Sequence, residues 1–136
     1  MIIMAVDLGK ARTGIAASDK TEYLASPVKV ITEHNRERLL EKVCETAQQI
    51  KAELVVVGLP KNMDGSEGES AKNAREFSEL LAQRLGVEVK LWDERCTTIT
   101  AHGYLNDTNT RGKKRKAVID EVAATVILQS FLDSRR

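Results

Sequence analysis

The segment ELVVVG, residues 53–58, limits the fold more than any other stretch of this chain. A strand with one face in water alternates apolar and polar residues, and Leu54, Val55, Val56 and Val57 do not alternate. Such a run suits a central parallel strand covered by helices on both faces. Its neighbours agree. From Asn35 to Lys51, the apolar residues Leu39, Leu40, Val43, Ala47 and Ile50 fall on one helical face. A second helix is expected from about Ser70 to Leu85, with Ala74, Phe77, Leu81 and Leu85 on one side and Gly86 as its stop. VEVKLWD, 87–93, then reads as another strand. Parallel strands joined in this way need right-handed crossovers.

The remaining segments complete an α/β layered domain spanning 1–136. MIIMAVD, RTGIAASD and the short PVKVI predict three strands of an antiparallel meander, the first two joined by a turn around Gly9, Lys10 and Ala11. Thr97 caps an expected short helix to about Leu105. A polar, basic loop, NDTNTRGKKRK, leads into a last helix from about Ile119 to Leu132. The expected architecture is a mixed five-stranded sheet flanked by helices. No apolar stretch is long enough to span a membrane and no signal-peptide pattern opens the chain, so a cytoplasmic protein is expected. Cys44 and Cys96 lack metal or redox spacing and read as reduced, buried thiols. His34 and His102 are isolated and read as neither ligands nor catalysts. The net charge is only +1, so a nucleic-acid partner would have to be held by a local basic patch.

Three apolar elements end on, or contain, carboxylates. Asp7 closes the first strand, and Asp93 and Glu94 close the last one. Asp120 lies on the stripe of Ala124, Ile127 and Phe131, which should pack on the sheet. As a residue of the first helical turn it would also gain from the helix dipole. Unpaired buried carboxylates are costly, and clustered ones repel unless cations lie between them. Hard divalent ions such as Mg2+ or Mn2+ suit an all-oxygen set. Two such ions roughly 3.5–4 Å apart would activate water and stabilise the leaving oxygen of a phosphodiester. Ligands of open α/β sheets gather at the carboxyl ends of parallel strands, where the topology allows these acids to converge.

The stretches VDLGKARTGIAASD, VVVGLPKNMDGSEG, LWDERCTT and IDEVAATVILQSFL, in this order, resemble the YqgF (RuvX) family of Holliday junction resolvase-like nucleases. The resemblance implies a ribonuclease H-like fold and a nuclease that processes the 5′ end of precursor 16S ribosomal RNA. An older reading, from similarity to RuvC resolvases, is cleavage of branched DNA at four-way junctions. Matched by motif, the resemblance makes Asp7, Glu94 and Asp120 the catalytic and metal-binding acids. Spacing alone leaves Asp93 and Glu94 open. If Trp92 marks one face of its strand, Glu94 shares that face and Asp93 takes the other.

Contacts to nucleic acid are expected from Lys10 and Arg12 on the turn after Asp7, from Asn62 in the loop after ELVVVG, and from Arg111, Lys113, Lys114, Arg115 and Lys116. The loop at 59–69 lacks the Gly-Lys-Ser/Thr ending of a Walker loop. Few aromatic residues are present, which argues against a base-stacking platform. Two other classes compete: a nucleotide-binding module of the actin-like kind, which shares the opening motif, and a non-catalytic RNA-binding assembly factor. A junction resolvase would further require a homodimer with two symmetric sites.

Overall fold

The computed structural model describes residues 1–94 and 112–135, the side chains of 112–121 excepted. The expected helix at Thr97–Leu105, Cys96, His102 and Arg111 lie outside the described residues. The elements are β1 (Ile3–Leu8), β2 (Arg12–Ser18), β3 (Ala25–Thr32), α1 (Arg36–Ile50), β4 (Leu54–Leu59), α2 (Glu69–Leu85), β5 (Glu88–Asp93) and α3 (Gly112–Ser134). The five strands form one sheet in the order β3-β2-β1-β4-β5. The meander β1-β2-β3 is antiparallel, while β1, β4 and β5 run parallel. The chain reverses its direction of travel across the sheet at β1, so the carboxyl ends of β1 and β4 flank a topological switch point.

Strand alternation sorts the side chains into two cores. Met4, Val6, Val55, Val57 and Leu59 face α1 and α2, where Leu40, Val43, Phe77 and Leu81 close over them. Ile3, Ala5, Leu54 and Val56 face the other way, against Ala124, Ile127, Leu128, Phe131 and Leu132 of α3. All six residues of β4 are buried, as its unbroken apolar run requires. The helix ends follow their local chemistry. The Asn35 side chain accepts from the Arg38 amide, and Lys51 and Gly86 take left-handed conformations that end α1 and α2. A Cβ at Gly9 would collide with the Arg12 carbonyl, which is why the tight β1-β2 turn needs glycine there.

Two boundaries differ from expectation. β3 is longer than PVKVI because Ser26 and Ala25 also pair with β2, and the Ala25 amide donates to Gln129 of α3 at 2.9 Å. Pro27 is tolerated because β3 is an edge strand, with a register shift between Ile15 and Ala16 opposite it. The last helix begins at Gly112, not at Ile119. Its charge made the segment read as a loop, yet Lys, Arg and Ala are strong helix formers. Lys113 to Lys116 therefore belong to the first turns of α3, and Asp120 lies beyond the first turn. The helix-dipole argument for Asp120 fails accordingly, since that effect fades within one turn.

Candidate active site

Asp7 stands next to last in β1 and alternates with Ile3 and Ala5, so it belongs to the face covered by α3. Across the β1-β2 ladder it pairs with Gly14. On the other side Val6 pairs with Val57, and one further step of that register brings Asp7 beside Gly58. Gly58 in turn pairs with Trp92 of β5. Asp7 thus sits in a row between two glycines, neither of which carries a side chain on that face.

Glu94 follows β5 directly. Trp92 faces α3: its indole N–H donates to the Ser130 hydroxyl at 3.3 Å, and its ring meets Phe131 edge-on at 5.5 Å. Glu94 keeps to that face. Its side chain lies over Gly58, where a Cβ would come within 2.9 Å of the Glu94 carboxyl carbon and of Ile127 Cδ1. There the Glu94 carboxyl hydrogen-bonds Asp7. The two acids are remote in sequence and two strands apart in the sheet, and the structure joins them above β4. Burial raises the pKa of Glu94, and the neighbouring Asp93 charge adds to this, while the bond to Asp7 works against it. Val89 and Leu91 pack on the α1-α2 core, so Asp93 alternates onto that face and away from the pair.

The third acid is placed by its backbone alone. Asp120 lies in α3, seven residues before Ile127, or about 10 Å along the axis at 1.5 Å per residue. Ala124, Ile127 and Phe131 of the same stripe are buried. The helix passes Gly58 with Ile127, and its far end reaches the opposite edge of the sheet, where Arg135 meets Glu22 at 3.4 Å. Its earlier turns therefore extend toward the edge that carries Asp7 and Glu94. The side chains of Asp120, Lys113, Lys114, Arg115 and Lys116 lie outside the described residues. Among the described residues no group of three metal-ligating side chains is gathered.

The donor set that is described fits a hard divalent ion. Two carboxyl groups this close, one of them largely buried, repel each other when both are ionised, and a cation between them would relieve that. Half-buried Arg12 lies on the same face, since Gly14, two residues on, pairs with Asp7. Lys10 does not join them. It lines a cleft with Ser70 and Asn73 at the start of α2, on the opposite side of the sheet edge. Asn62 lies in the exposed loop after β4, where its side-chain NH2 donates to the Ser66 hydroxyl at 2.9 Å and its backbone brackets the turn closed by Gly65. Gly58 is the residue that sequence reasoning missed. A lone glycine inside an otherwise branched, buried strand signals that another group approaches closely, and ELVVVG carried that signal.

The whole chain resembles proteins of one family. A family model described as "RuvX: Holliday junction resolvase" matches residues 1–134. A Clostridium botulinum protein named "Putative pre-16S rRNA nuclease" is 39% identical over 133 residues, covering 98% of this chain and 97% of the relative. A Halothermothrix orenii protein of the same name is 42% identical, covering 98% and 95%. Among solved structures, Thermus thermophilus RuvC in complex with Holliday junction substrate is similar in fold, with a TM-score of 0.63 at 15% identity, covering 99% of this chain and 95% of that one.

Proposed function

Since the chain belongs to the RuvX family, we propose that it is a divalent-metal-dependent nuclease that processes precursor 16S ribosomal RNA. The observation that carries this reading is the pairing of Asp7 with Glu94 over Gly58 at the carboxyl edge of the parallel strands. In this reading Asp7 and Glu94, with Asp120 from α3, hold Mg2+ or Mn2+. Such an ion, when bound, acidifies water and draws charge from the scissile phosphate. The residues of the chain do the rest. The paired carboxylates would fix where the cation sits, and the α3 core behind them excludes solvent from one side. Arg12, on the same face, binds a phosphate oxygen and keeps the strand in register. The start of α3 grips the backbone through Lys113, Lys114, Arg115 and Lys116, and Arg111 extends that patch. Lys10 and Asn62 would contact the strand further from the acids.

The family description and the RuvC-like fold favour a second reading, cleavage of four-way DNA junctions. The test sets precursor 16S RNA and a synthetic junction side by side with purified protein, Mg2+ or Mn2+, and each acidic variant. The expected result is cation-dependent cleavage of the RNA. Cleavage of the junction alone would establish the second reading, and a homodimer would then be required to cut both strands. Binding without cleavage of either would make the chain an assembly factor. No helix among the described residues is long and apolar enough to cross a membrane.

The grip has its own test. Changing Lys113, Lys114, Arg115 and Lys116 together to Ala should weaken RNA binding at low salt. It should also flatten the plot of log affinity against log salt by about 3, at about 0.7–0.9 per phosphate contact. An unchanged slope would remove these residues from the interface.

A further inference from the structure

We propose that Gly58 is the positioning residue of the site: its missing side chain lets the Glu94 carboxyl reach Asp7 and at the same time sets how closely α3 approaches the sheet. The proposal rests on the reading of Asp7 and Glu94 as cation ligands. The strands that carry the two acids flank β4 and are separated by two strand spacings, about 9.6 Å between backbones. A line from one carboxyl to the other must cross β4, and the residue beneath the crossing is Gly58. A Cβ there would stand 2.9 Å from Glu94 Cδ, 3.0 Å from Glu94 Cγ and 2.9 Å from Ile127 Cδ1. Carbon atoms in van der Waals contact sit about 3.5–4.0 Å apart, so both side chains would have to move. Both are the ends of flexible chains, so the cost falls on placement and not on the backbone. Glu94 would be pushed off the line to Asp7. Ile127 Cδ1 would have to turn aside from its present packing, on the helix that carries Asp120 two turns earlier. One absent methyl group thus leaves room for side chains from two other elements, at a position where a β-branched or aromatic residue would raise β propensity. Glycine at a buried, interior strand position is a cost to stability that the fold accepts for this clearance.

The two contacts can be separated, because Ile127→Val removes Cδ1 and leaves Glu94 untouched. Wild type, D7N, G58A, I127V and G58A/I127V, all as full chains, are melted in cation-free buffer and titrated with Mn2+ by calorimetry. Gly58→Ala is expected to weaken Mn2+ binding by about tenfold or more, the scale seen when residues that orient metal ligands are altered. It should lower the melting temperature less in the I127V background than in wild type, while the weak Mn2+ binding persists in both. Wild-type Mn2+ affinity in G58A would overturn the proposal. So would recovery of affinity in G58A/I127V, which would make Gly58 a packing residue for the helix alone, and so would failure of both variants to fold. If wild type and D7N bind Mn2+ alike, the reading of the acidic pair falls, and the role of Gly58 with it.

Discussion

Asp7→Asn should leave the chain folded and lower cleavage by about 10³-fold or more, equivalent to about 4 kcal/mol of transition-state stabilisation. The amide keeps the size and shape of the carboxyl, and the position is half-buried at the end of β1, so neither core is disturbed. What is lost is the negative charge that pairs with a cation. A gel assay on precursor RNA, with a circular dichroism melt as control for folding, checks both halves. Cleavage at the wild-type rate would remove Asp7 from the chemistry.

Glu94→Gln should abolish cleavage to a similar degree and, unlike most active-site changes, should stabilise the cation-free protein at neutral pH. Burial holds the Glu94 pKa above the ordinary carboxylate range, with Asp93 adding to the shift. A group whose folded-state pKa is raised contributes its stability below the unfolded pKa and loses it as the pH climbs through the folded value. Cation-free wild type should therefore weaken as the pH rises through the Glu94 pKa. The E94Q protein has no such ionisation, so its stability should fall less than that of wild type as the pH rises. Adding Mn2+ should reverse the order, since binding to the native state stabilises wild type by mass action while E94Q has lost a ligand. Melting curves at several pH values, with and without Mn2+, decide the matter. A wild type that grows steadily more stable from pH 5 to 8 without cations would contradict the assigned burial cost.

Much of this arrangement is legible in the sequence, and the reasons are physical. The unbroken run of ELVVVG suits a strand covered on both faces, and with helical patterns on either side it implies parallel strands and a common carboxyl edge. The period of a strand then placed Glu94 with Trp92 and opposite Asp93, as the structure has it. The period of a helix placed Ala124, Ile127 and Phe131 on one buried stripe. Boundaries were less visible. Nothing in RGKKRK forbids a helix, and its charge obscured its propensity, so the start of α3 was read too late. Lys10 could not be separated from Arg12 by sequence because both follow the same turn. Only the pairing of Asp7 with Gly14 shows which face each occupies, and the cleft at α2 shows where Lys10 goes. Gly58 was hidden for a different reason: its contribution is an absence, and what fills the space comes from two other elements.

In the proposed reading Asp7, Glu94 and Asp120 hold one cation site across β1, β5 and α3. Anomalous diffraction at the manganese edge, from crystals grown with Mn2+, tests it most directly. The account predicts a peak at the carboxyl edge above Gly58, within about 2.0–2.4 Å of oxygens from all three side chains. A peak bound elsewhere, or a site that Asp120 does not reach, would contradict it.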